Sequence, residues 1–421
     1  MVNENNKSPS LSRRISVGIG RGLGWVLTNQ FFNFSINFTE YQNVKKTLPQ
    51  KKLTIFIVAG RLGKSLTISK AVPFTTHPAV EQVFIFREEK GFDLEGAEYI
   101  TLPPFIQKIK PGFLRKIVRF IVEPVQLIRY AIKIKPDLIN GVFTLPKGLN
   151  AVIAGKISRR KSVVSVIGGT VEITTRFPFQ RFWTWFNLQM LKSADAVTTK
   201  GSRVTEYLIN YGIDKEKIFN LNGSIDIETF SMYPSVERDI DILFVGNFRK
   251  LKGPDRVLRV IKNLRESGLK SKGVFLGTGD LFEEIRAKVI EDSLTEVIKL
   301  EGYVDDTASY YQRAKIIVMP STSEGLPTSM LEAMACGCVP VVSDVGNITD
   351  AAKNGENAMV IDHWNDIDGF TGAAKKLLMD DEFRQKLSET GRNTVEEKYT
   401  PEKQAEIVDN IFRYLGFIDE G

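Results

Sequence analysis

The feature that most constrains the fold of this chain is a repeated alternation of short apolar segments and segments with helical spacing. The first apolar segment reads LTIFIVAG and ends in glycine, as buried parallel strands often do. Strands that alternate with helices predict βαβ units and a mostly parallel sheet. The first series predicts strands at Leu53–Gly60, Gln82–Glu88, Asp137–Phe143, Ser162–Gly169 and Asp195–Gly201, and helices over 113–133, 148–158 and 180–193.

A second series of the same kind begins after the polar stretch 227–240. It predicts a second doubly wound, Rossmann-like α/β domain, because 421 residues exceed what one hydrophobic core usually supports. Two such domains in tandem bind a ligand in the cleft between them, at the carboxyl ends of the strands. The predicted strands are Asp241–Asn247, Gly273–Gly279, Val297–Tyr303, Lys315–Ser321 and Val339–Val345, and the helices cover 254–267, 281–292, 307–313 and 327–335.

These series divide the chain into four parts. We predict an N-terminal extension at 1–50, a first domain at 51–235 and a second domain at 236–395. The remaining residues, 396–421, are predicted to form a C-terminal helix that starts at Pro401, where proline is tolerated, and returns to the first domain.

Composition excludes several classes of protein. Apolar residues make up 43% and charged residues 25% of the chain, which is ordinary for a globular protein. Two cysteines and two histidines are too few for a disulfide framework or a Cys/His zinc site, so we expect no metal and a reducing, cytoplasmic environment. No apolar run is long enough to span a membrane.

Charge is distributed unevenly along the chain. Residues 1–235 contain 33 Lys and Arg against 17 Asp and Glu, whereas the remainder contains 24 against 33. A basic half suggests an anionic partner, although uneven surface decoration explains it too. Residues 106–135 hold eight basic residues and one acid with apolar residues near helical spacing. They could lie on an anionic membrane, peripheral at its inner face, or pack in a core with a solvated basic face. No nucleic-acid-binding motif is present.

The segment Pro320–Pro340, PSTSEGLPTSMLEAMACGCVP, carries the clearest chemical signal. A buried strand ends at its start, a loop follows, and a helix begins near Pro327 at the carboxyl end of the sheet. Free N–H groups and the helix dipole make this helix start an anion site. Glu324 in the loop and Glu332 in the helix could accept hydrogen bonds from the diols of a sugar and a ribose. Alternatively, either carboxylate only stabilises the helix dipole.

This segment resembles the signature of glycosyltransferase family 4, with two glutamates separated by seven residues in P-S-x-x-E-G-x-P-x-x-x-L-E-A-M-A-C-G. The resemblance extends to GNFRKLKGPD at Gly246–Asp255, to LEGYV at Leu300–Val304 and to NGSIDIETF at Asn222–Phe230. It implies the two-domain GT-B fold, with both Rossmann-like domains facing a central cleft. It also implies a retaining, metal-independent transfer of a hexose from a UDP- or GDP-linked sugar to a glycan or lipid-linked acceptor, without a cofactor, in polysaccharide or glycoconjugate synthesis.

The resemblance also implies residue roles. Glu324 would orient the donor sugar, Glu332 would bind the ribose, and Lys252 would hold the diphosphate. The family places an arginine where this chain has Asn247, and Arg249 is the candidate replacement. The full implied donor site comprises Gly246, Asn247, Gly277, Gly302, Tyr303, Val304, Gly325, Leu326, Pro327, Thr328 and Glu332, with Glu324, Lys252 and Arg249 as catalytic residues.

The acceptor side departs from the family. Where many relatives carry H-G-x-D, this chain reads GGTVE, so that Gly168 stands in place of the histidine. Glu172 is the candidate to take over the carboxylate role, and the resemblance implies that the glycine-rich turn at Gly60 and Gly63 lies near the donor phosphates and the acceptor. The predicted acceptor-side residues are Gly60, Gly63, Gly168, Gly169, Thr170 and Glu172.

Other motifs are set aside. Ala59–Ser65 lacks the first glycine of a phosphate-binding P-loop. Asp239 and Asp241 have the D-x-D spacing of metal-dependent transferases but enter a strand at its amino end. Two further functions stay open. One is a non-catalytic nucleotide-sugar-binding module of a glycan assembly complex; the other is a sugar-phosphate or nucleotide-sugar isomerising enzyme, which would act without an acceptor.

Overall fold

The computed structural model describes residues 52–419, except 61, 63, 91, 105, 107–108, 110–112 and 175–178. The predicted extension at 1–50 and the predicted acceptor residue Gly63 lie outside the described residues, as does part of the basic segment 106–135.

Two parallel sheets organise the described chain. The first contains seven strands in the order β3-β2-β1-β4-β5-β6-β7, and the second contains six in the order β10-β9-β8-β11-β12-β13. The predicted pair of Rossmann-like α/β domains is therefore confirmed. In the first sheet the strands are β1 (Leu53–Gly60), β2 (Val80–Arg87), β3 (Ala97–Thr101), β4 (Leu138–Val142), β5 (Lys161–Val166), β6 (Ala196–Thr199) and β7 (Ile218–Asn220); in the second they are β8 (Ile240–Val245), β9 (Gly273–Leu276), β10 (Ile298–Gly302), β11 (Ala314–Met319), β12 (Val339–Ser343) and β13 (Met359–Ile361).

The order of the chain reverses at one point in each sheet. β1 pairs with both β2 and β4, and β8 pairs with both β9 and β11, all in parallel. Such switch points leave a crevice at the carboxyl ends of the strands, where doubly wound sheets bind ligands.

Helices cover both sheets. Their bounds are α1 (Lys64–Thr75), α2 (Phe113–Ile134), α3 (Leu149–Ser158), α4 (Thr170–Ile173), α5 (Gln180–Ser193), α6 (Ser202–Asn210), α7 (Pro254–Glu266), α8 (Phe282–Glu291), α9 (Ala308–Arg313), α10 (Thr328–Ala335), α11 (Ile367–Met379), α12 (Asp381–Lys398) and α13 (Pro401–Tyr414).

Burial explains how the helices are placed. Helices α2, α3, α5 and α6 contribute buried apolar residues to two clusters on one face of the first sheet. On the other face, α1 packs with the C-terminal helix α13, whose Val408, Ile411 and Phe412 are fully buried together with Ile55 of β1. The last helix of the chain thus completes the core of the first domain. None of the described helices combines the length and apolar character needed to cross a membrane.

Candidate functional site

The donor side of the site starts from glycines at the carboxyl ends of the second sheet. Gly246 follows β8 and donates its N–H to Leu276 of β9, while Gly277 donates to Gly302 at the end of β10 over 2.6 Å. Gly277 has a φ of +125°, and a Cβ there would lie 2.0 Å from the carbonyl oxygen of Gly246. Only glycine fits this approach. Main-chain hydrogen bonds therefore join the carboxyl ends of β8, β9 and β10 beside the cleft.

Lys252 and Glu324 form an ion pair beside these strand ends. The Lys252 Nζ donates to Glu324 Oε1 over 2.6 Å, and the Glu324 side chain is 8% exposed. Lys252 comes from the loop after β8 and Glu324 from the loop after β11, two neighbouring strands. The sheet topology thus joins two residues that lie 72 positions apart in sequence.

The start of α10 lies directly after Glu324. Pro327 precedes the helix in extended conformation, and no side chain caps its first turn. Leu326 and Pro327 are buried, whereas Gly325 and Thr328 are partly exposed. The first N–H groups of an α-helix have no partner within the helix, so this turn presents donors and the positive end of the dipole to an anion.

Glu332 lies one turn further along α10 and is held by Tyr311 of α9. The Tyr311 hydroxyl donates to Glu332 Oε2 over 3.1 Å, and Tyr311 is fully buried. Burial raises the pKa of Glu332 to about 7, although the tyrosine hydrogen bond opposes this. A carboxylate desolvated to this degree benefits from a ligand that donates hydrogen bonds, such as a vicinal diol.

The remaining predicted donor residues are less enclosed. Asn247 and Arg249 are exposed in the loop after β8, and Tyr303 is 75% exposed after β10. Val304 packs against the apolar core of the second domain.

On the acceptor side, the Glu172 carboxylate is already occupied by the main chain. Its Oε1 accepts the Thr144 N–H at 2.5 Å, and its Oε2 accepts the N–H groups of Ile167 and Gly168 at 2.9 and 2.6 Å. Burial raises its pKa while these three hydrogen bonds lower it. Glu172 therefore ties the end of β5 to the loop after β4, instead of facing the cleft as a free carboxylate.

The residues that follow β5 lie on the first-domain side of the cleft, near Gly325 of the second domain. Gly169 precedes the short helix α4, which starts at Thr170. Farther along the sheet edge, a cavity of about 290 Å³ opens beside Gly60 at the end of β1. Its polar lining consists of Arg87, Glu88, Glu123 and Lys147, of which the first three are buried.

Asn347, after β12, connects the two domains at the cleft. Its N–H donates to the Gly325 carbonyl at 3.1 Å, and its side-chain amide donates to the Lys200 carbonyl at 2.6 Å. Nearby, Asp350 accepts hydrogen bonds from the N–H and hydroxyl of Ser202 at 2.6 and 2.5 Å. Neither Asn347 nor Lys200 was singled out from the sequence, since each is significant only through its partner in the other domain.

Comparison with known proteins identifies the second domain. Residues 227–394 match the model of the family described as "Glycosyl transferases group 1". These residues form a group 1 glycosyltransferase domain. The matched region contains Lys252, Glu324, Tyr311, Glu332 and Asn347.

Curated relatives and solved structures extend the comparison to the first domain. The chain is 22% identical over 287 residues to N-acetyl-alpha-D-glucosaminyl L-malate synthase of Bacillus anthracis, covering 66% of this chain and 74% of that protein. It is 22% identical over 306 residues to the UDP-Gal:alpha-D-GlcNAc-diphosphoundecaprenol alpha-1,3-galactosyltransferase of Escherichia coli, covering 68% and 78%. The crystal structure of Anabaena HepE with UDP has a TM-score of 0.68 at 14% identity, covering 85% of this chain and 98% of that one. The fold of the described chain is therefore GT-B.

The D-x-D spacing of the group 1 domain serves structural ion pairs. Asp239 pairs bidentately with Arg313 at 2.8 and 2.6 Å, and Asp241 pairs with Lys315 at 2.7 Å. Within the described part of the chain, no cluster of three or more His, Cys, Asp or Glu side chains is arranged to hold a metal ion.

The two cysteines of the group 1 domain are expected to resist thiol reagents in the native state. Cys336 and Cys338 are fully buried, and burial raises the pKa of Cys336 to about 12, so almost no thiolate is present at pH 8. We predict that Ellman's reagent modifies fewer than about 0.1 thiols per chain in the native protein within an hour, and both thiols in guanidinium chloride. Rapid modification of a native cysteine would contradict this placement.

Proposed function

We propose that the chain is a retaining glycosyltransferase of family 4 that transfers a hexose from a nucleotide-sugar to a hydroxyl group. The observation that carries the proposal is the Lys252–Glu324 pair beside the free start of α10, with Glu332 one turn away. Together these groups offer a cation and main-chain donors for a diphosphate, and carboxylates for the hydroxyls on either side of it.

The chemistry follows from the charge that develops on the leaving group. As the bond between the anomeric carbon and the diphosphate oxygen breaks, negative charge grows on that oxygen, where Lys252 and the amides of α10 stabilise it. The acceptor hydroxyl attacks from the same face, and its proton passes to the leaving diphosphate. Glu324 positions the sugar, and Glu332 binds the ribose. This route requires no protein base, which is consistent with the occupied carboxylate of Glu172.

The donor is proposed to be UDP- or GDP-linked, and no other cofactor is invoked. UDP is favoured because the Escherichia coli relative is named for UDP-Gal and Anabaena HepE has been solved with UDP-glucose. The acceptor is proposed to be a glycan or a lipid-linked saccharide of polysaccharide or glycoconjugate synthesis. The Escherichia coli relative is named for a diphosphoundecaprenol acceptor, and a Staphylococcus aureus relative is named for capsular polysaccharide biosynthesis.

A donor screen tests the proposal. The full-length protein is mixed with UDP-, GDP- and ADP-sugars, and thermal unfolding is followed. A ligand at 100 times its Kd stabilises the native state by about 2.7 kcal/mol. The sugars of one nucleotide are expected to raise the unfolding temperature by several degrees. The same nucleotide-sugars should release free nucleoside diphosphate when a compound with an acceptor hydroxyl group is added. The absence of stabilisation by all three kinds of nucleotide-sugar would count against the proposal, whereas binding without turnover would favour a non-catalytic module.

Since a lipid-linked acceptor would lie in a membrane, we also propose that the protein attaches to membranes through α2 and α5. Both helices lie on one face of the first sheet, and both expose apolar side chains: Ile121 and Val125 are 59% exposed on α2, and Trp185 is 54% exposed on α5. On α2 the exposed Arg129 and Lys133 follow these apolar residues one and two turns after Val125. An apolar stripe next to basic residues fits an anionic bilayer. The proposed location is cytoplasmic and peripheral at the inner membrane face.

Vesicle binding checks this surface. We predict that the protein co-sediments with vesicles containing about 30% anionic lipid, and that binding weakens as salt screens the basic residues. The double variant Ile121→Asp/Val125→Asp should lose at least about tenfold in partitioning, because the removed apolar area and the added charges both oppose insertion. Ile290→Asp, at an exposed isoleucine on α8 of the other domain, serves as the control. Equal partitioning of the double variant and the control would contradict the assignment.

A further inference from the structure

The segment Lys200–Arg203, at the carboxyl end of β6 in the first domain, is fixed against the Glu324 loop of the second. Asn347 is fully buried and forms hydrogen bonds to both domains. In the second domain its N–H donates to the Gly325 carbonyl at 3.1 Å. In the first domain its side-chain amide donates to the Lys200 carbonyl at 2.6 Å, and its side-chain oxygen accepts the Arg203 N–H at 3.2 Å. Gly201 has a φ of +118°, and a Cβ there would lie 2.3 Å or less from the Asn347 side chain. The backbone at Lys200 therefore has one position relative to the donor loop.

The Lys200 side chain lies within electrostatic reach of the donor residues. Burial and the neighbouring Lys252 lower the pKa of Lys200 to about 8, while Glu324 raises it. A third lysine extends the cluster, because burial and Lys200 lower the pKa of Lys70 to about 7. Lys70 is buried and Lys200 is half-buried, and like charges withdrawn from water in this way are costly unless a counter-ion is present.

The carboxylates of the described cleft do not balance these lysines. Glu172 acts on Lys70 as a counter-charge, and its oxygens also accept three main-chain N–H groups. Glu324 is bonded to Lys252. Three lysines thus face two carboxylates, and Lys200 is the additional cation at the place where the two domains approach each other, so that an anionic ligand would complete the charge balance.

We propose that Lys200 contacts the diphosphate of the donor from the first domain, opposite Lys252. The proposal rests on the proposed function and adds to it a residue that the family signature does not contain. It answers the departure at Asn247, where the resemblance implies an arginine. Asn247 and the candidate replacement Arg249 are both exposed, whereas the backbone of Lys200 is joined to the Glu324 loop through Asn347. Because Lys200 belongs to the first domain, a bound diphosphate would add a second link between the two domains beside Asn347.

Nucleotide binding tests this role. The dissociation constants of UDP and uridine are measured by calorimetry for the full-length wild type and for Lys200→Met, Lys200→Arg and Lys252→Met; GDP and guanosine replace them if the donor screen selects GDP. We expect Lys200→Met to weaken UDP binding at least about tenfold, since a charge-assisted contact contributes about 1.4 kcal/mol or more, and to leave uridine binding unchanged. Lys200→Arg should recover part of the loss. Lys156→Met, at an exposed lysine of α3, is the matched control.

The possible outcomes separate the two proposals. If Lys252→Met loses UDP affinity and Lys200→Met does not, the assignment of Lys200 is overturned and the donor site stands. An equal loss of UDP and uridine affinity in Lys200→Met would assign the residue a structural role and also overturn the proposal. If the wild type binds none of UDP, GDP and ADP, the proposed function fails together with this inference. The unfolding temperature of each variant shows that it is folded.

Discussion

Lys252→Met is expected to lower kcat/KM for the nucleotide-sugar donor by about 100-fold or more. The Lys252 Nζ is 2.6 Å from Glu324, beside the start of α10, where the leaving diphosphate would lie. Removing a group that stabilises developing negative charge costs about 100- to 1,000-fold in rate. The change also leaves the Glu324 carboxylate, 8% exposed, without its cation, so that it would repel the donor.

Initial rates of nucleoside diphosphate release at several donor concentrations measure this effect. Lys250→Met is the matched control, because Lys250 is an exposed lysine two positions away in the same loop. It is expected to stay within about twofold of the wild type, as surface substitutions usually have small effects. If Lys252→Met and Lys250→Met were equally active, Lys252 would not be part of the catalytic site.

Glu332→Gln is expected to stabilise the free protein while it impairs donor binding. Burial raises the pKa of Glu332 to about 7, so between about pH 4.5 and 7 the native state binds more protons than the unfolded state. Stability is therefore lost as the pH rises through this window, and the loss is complete above it. Glutamine carries no charge and still accepts the Tyr311 hydroxyl hydrogen bond. The variant should exceed the wild type in unfolding temperature at pH 8 and match it near pH 5.

Thermal unfolding at both pH values, with and without donor, measures both effects. Each kcal/mol shifts the midpoint of a domain of this size by about 2 to 4 °C. Donor affinity should fall at least about tenfold, because an amide oxygen accepts more weakly from a diol than a carboxylate does. Glu356→Gln, at an exposed glutamate of the same domain, controls for the loss of charge alone. Lower stability than the wild type at pH 8, or unchanged donor affinity, would contradict this account of Glu332.

Much of the fold could be predicted because the central strands are continuous apolar runs. β1, β8 and β11 are buried almost throughout and were found within a few residues of their bounds. β3, β7 and β13 were missed. Each of them lies at an edge of its sheet and is only three to five residues long. Their side chains are half-buried or exposed, so their sequences lack a continuous apolar run. An edge strand contacts a single neighbour, and its pattern weakens accordingly.

The candidate site was predictable only where its residues belong to a sequence motif, as Lys252 does in Gly246–Asp255. Glu324, Gly325, Pro327 and Glu332 belong to one segment, whose spacing carries the signal. The hydrogen bond between Tyr311 and Glu332, and that between Lys200 and Asn347, depend on how distant strands and two domains meet. No sequence periodicity encodes such contacts, and Glu172 shows the converse: a carboxylate placed in a suggestive motif is occupied by main-chain N–H groups.

The most direct test of the central claim is the configuration of the sugar released at this cleft. The full-length protein is incubated with the nucleotide-sugar selected by the donor screen and no added acceptor, so that water takes the place of the acceptor hydroxyl. The first products are followed by proton NMR before the anomers equilibrate. We predict release of nucleoside diphosphate and a product sugar with the anomeric configuration of the donor, and no release above background for Glu324→Ala. A product of inverted configuration, or equal release by Glu324→Ala and the wild type, would contradict the proposed retaining transfer at Glu324 and Lys252.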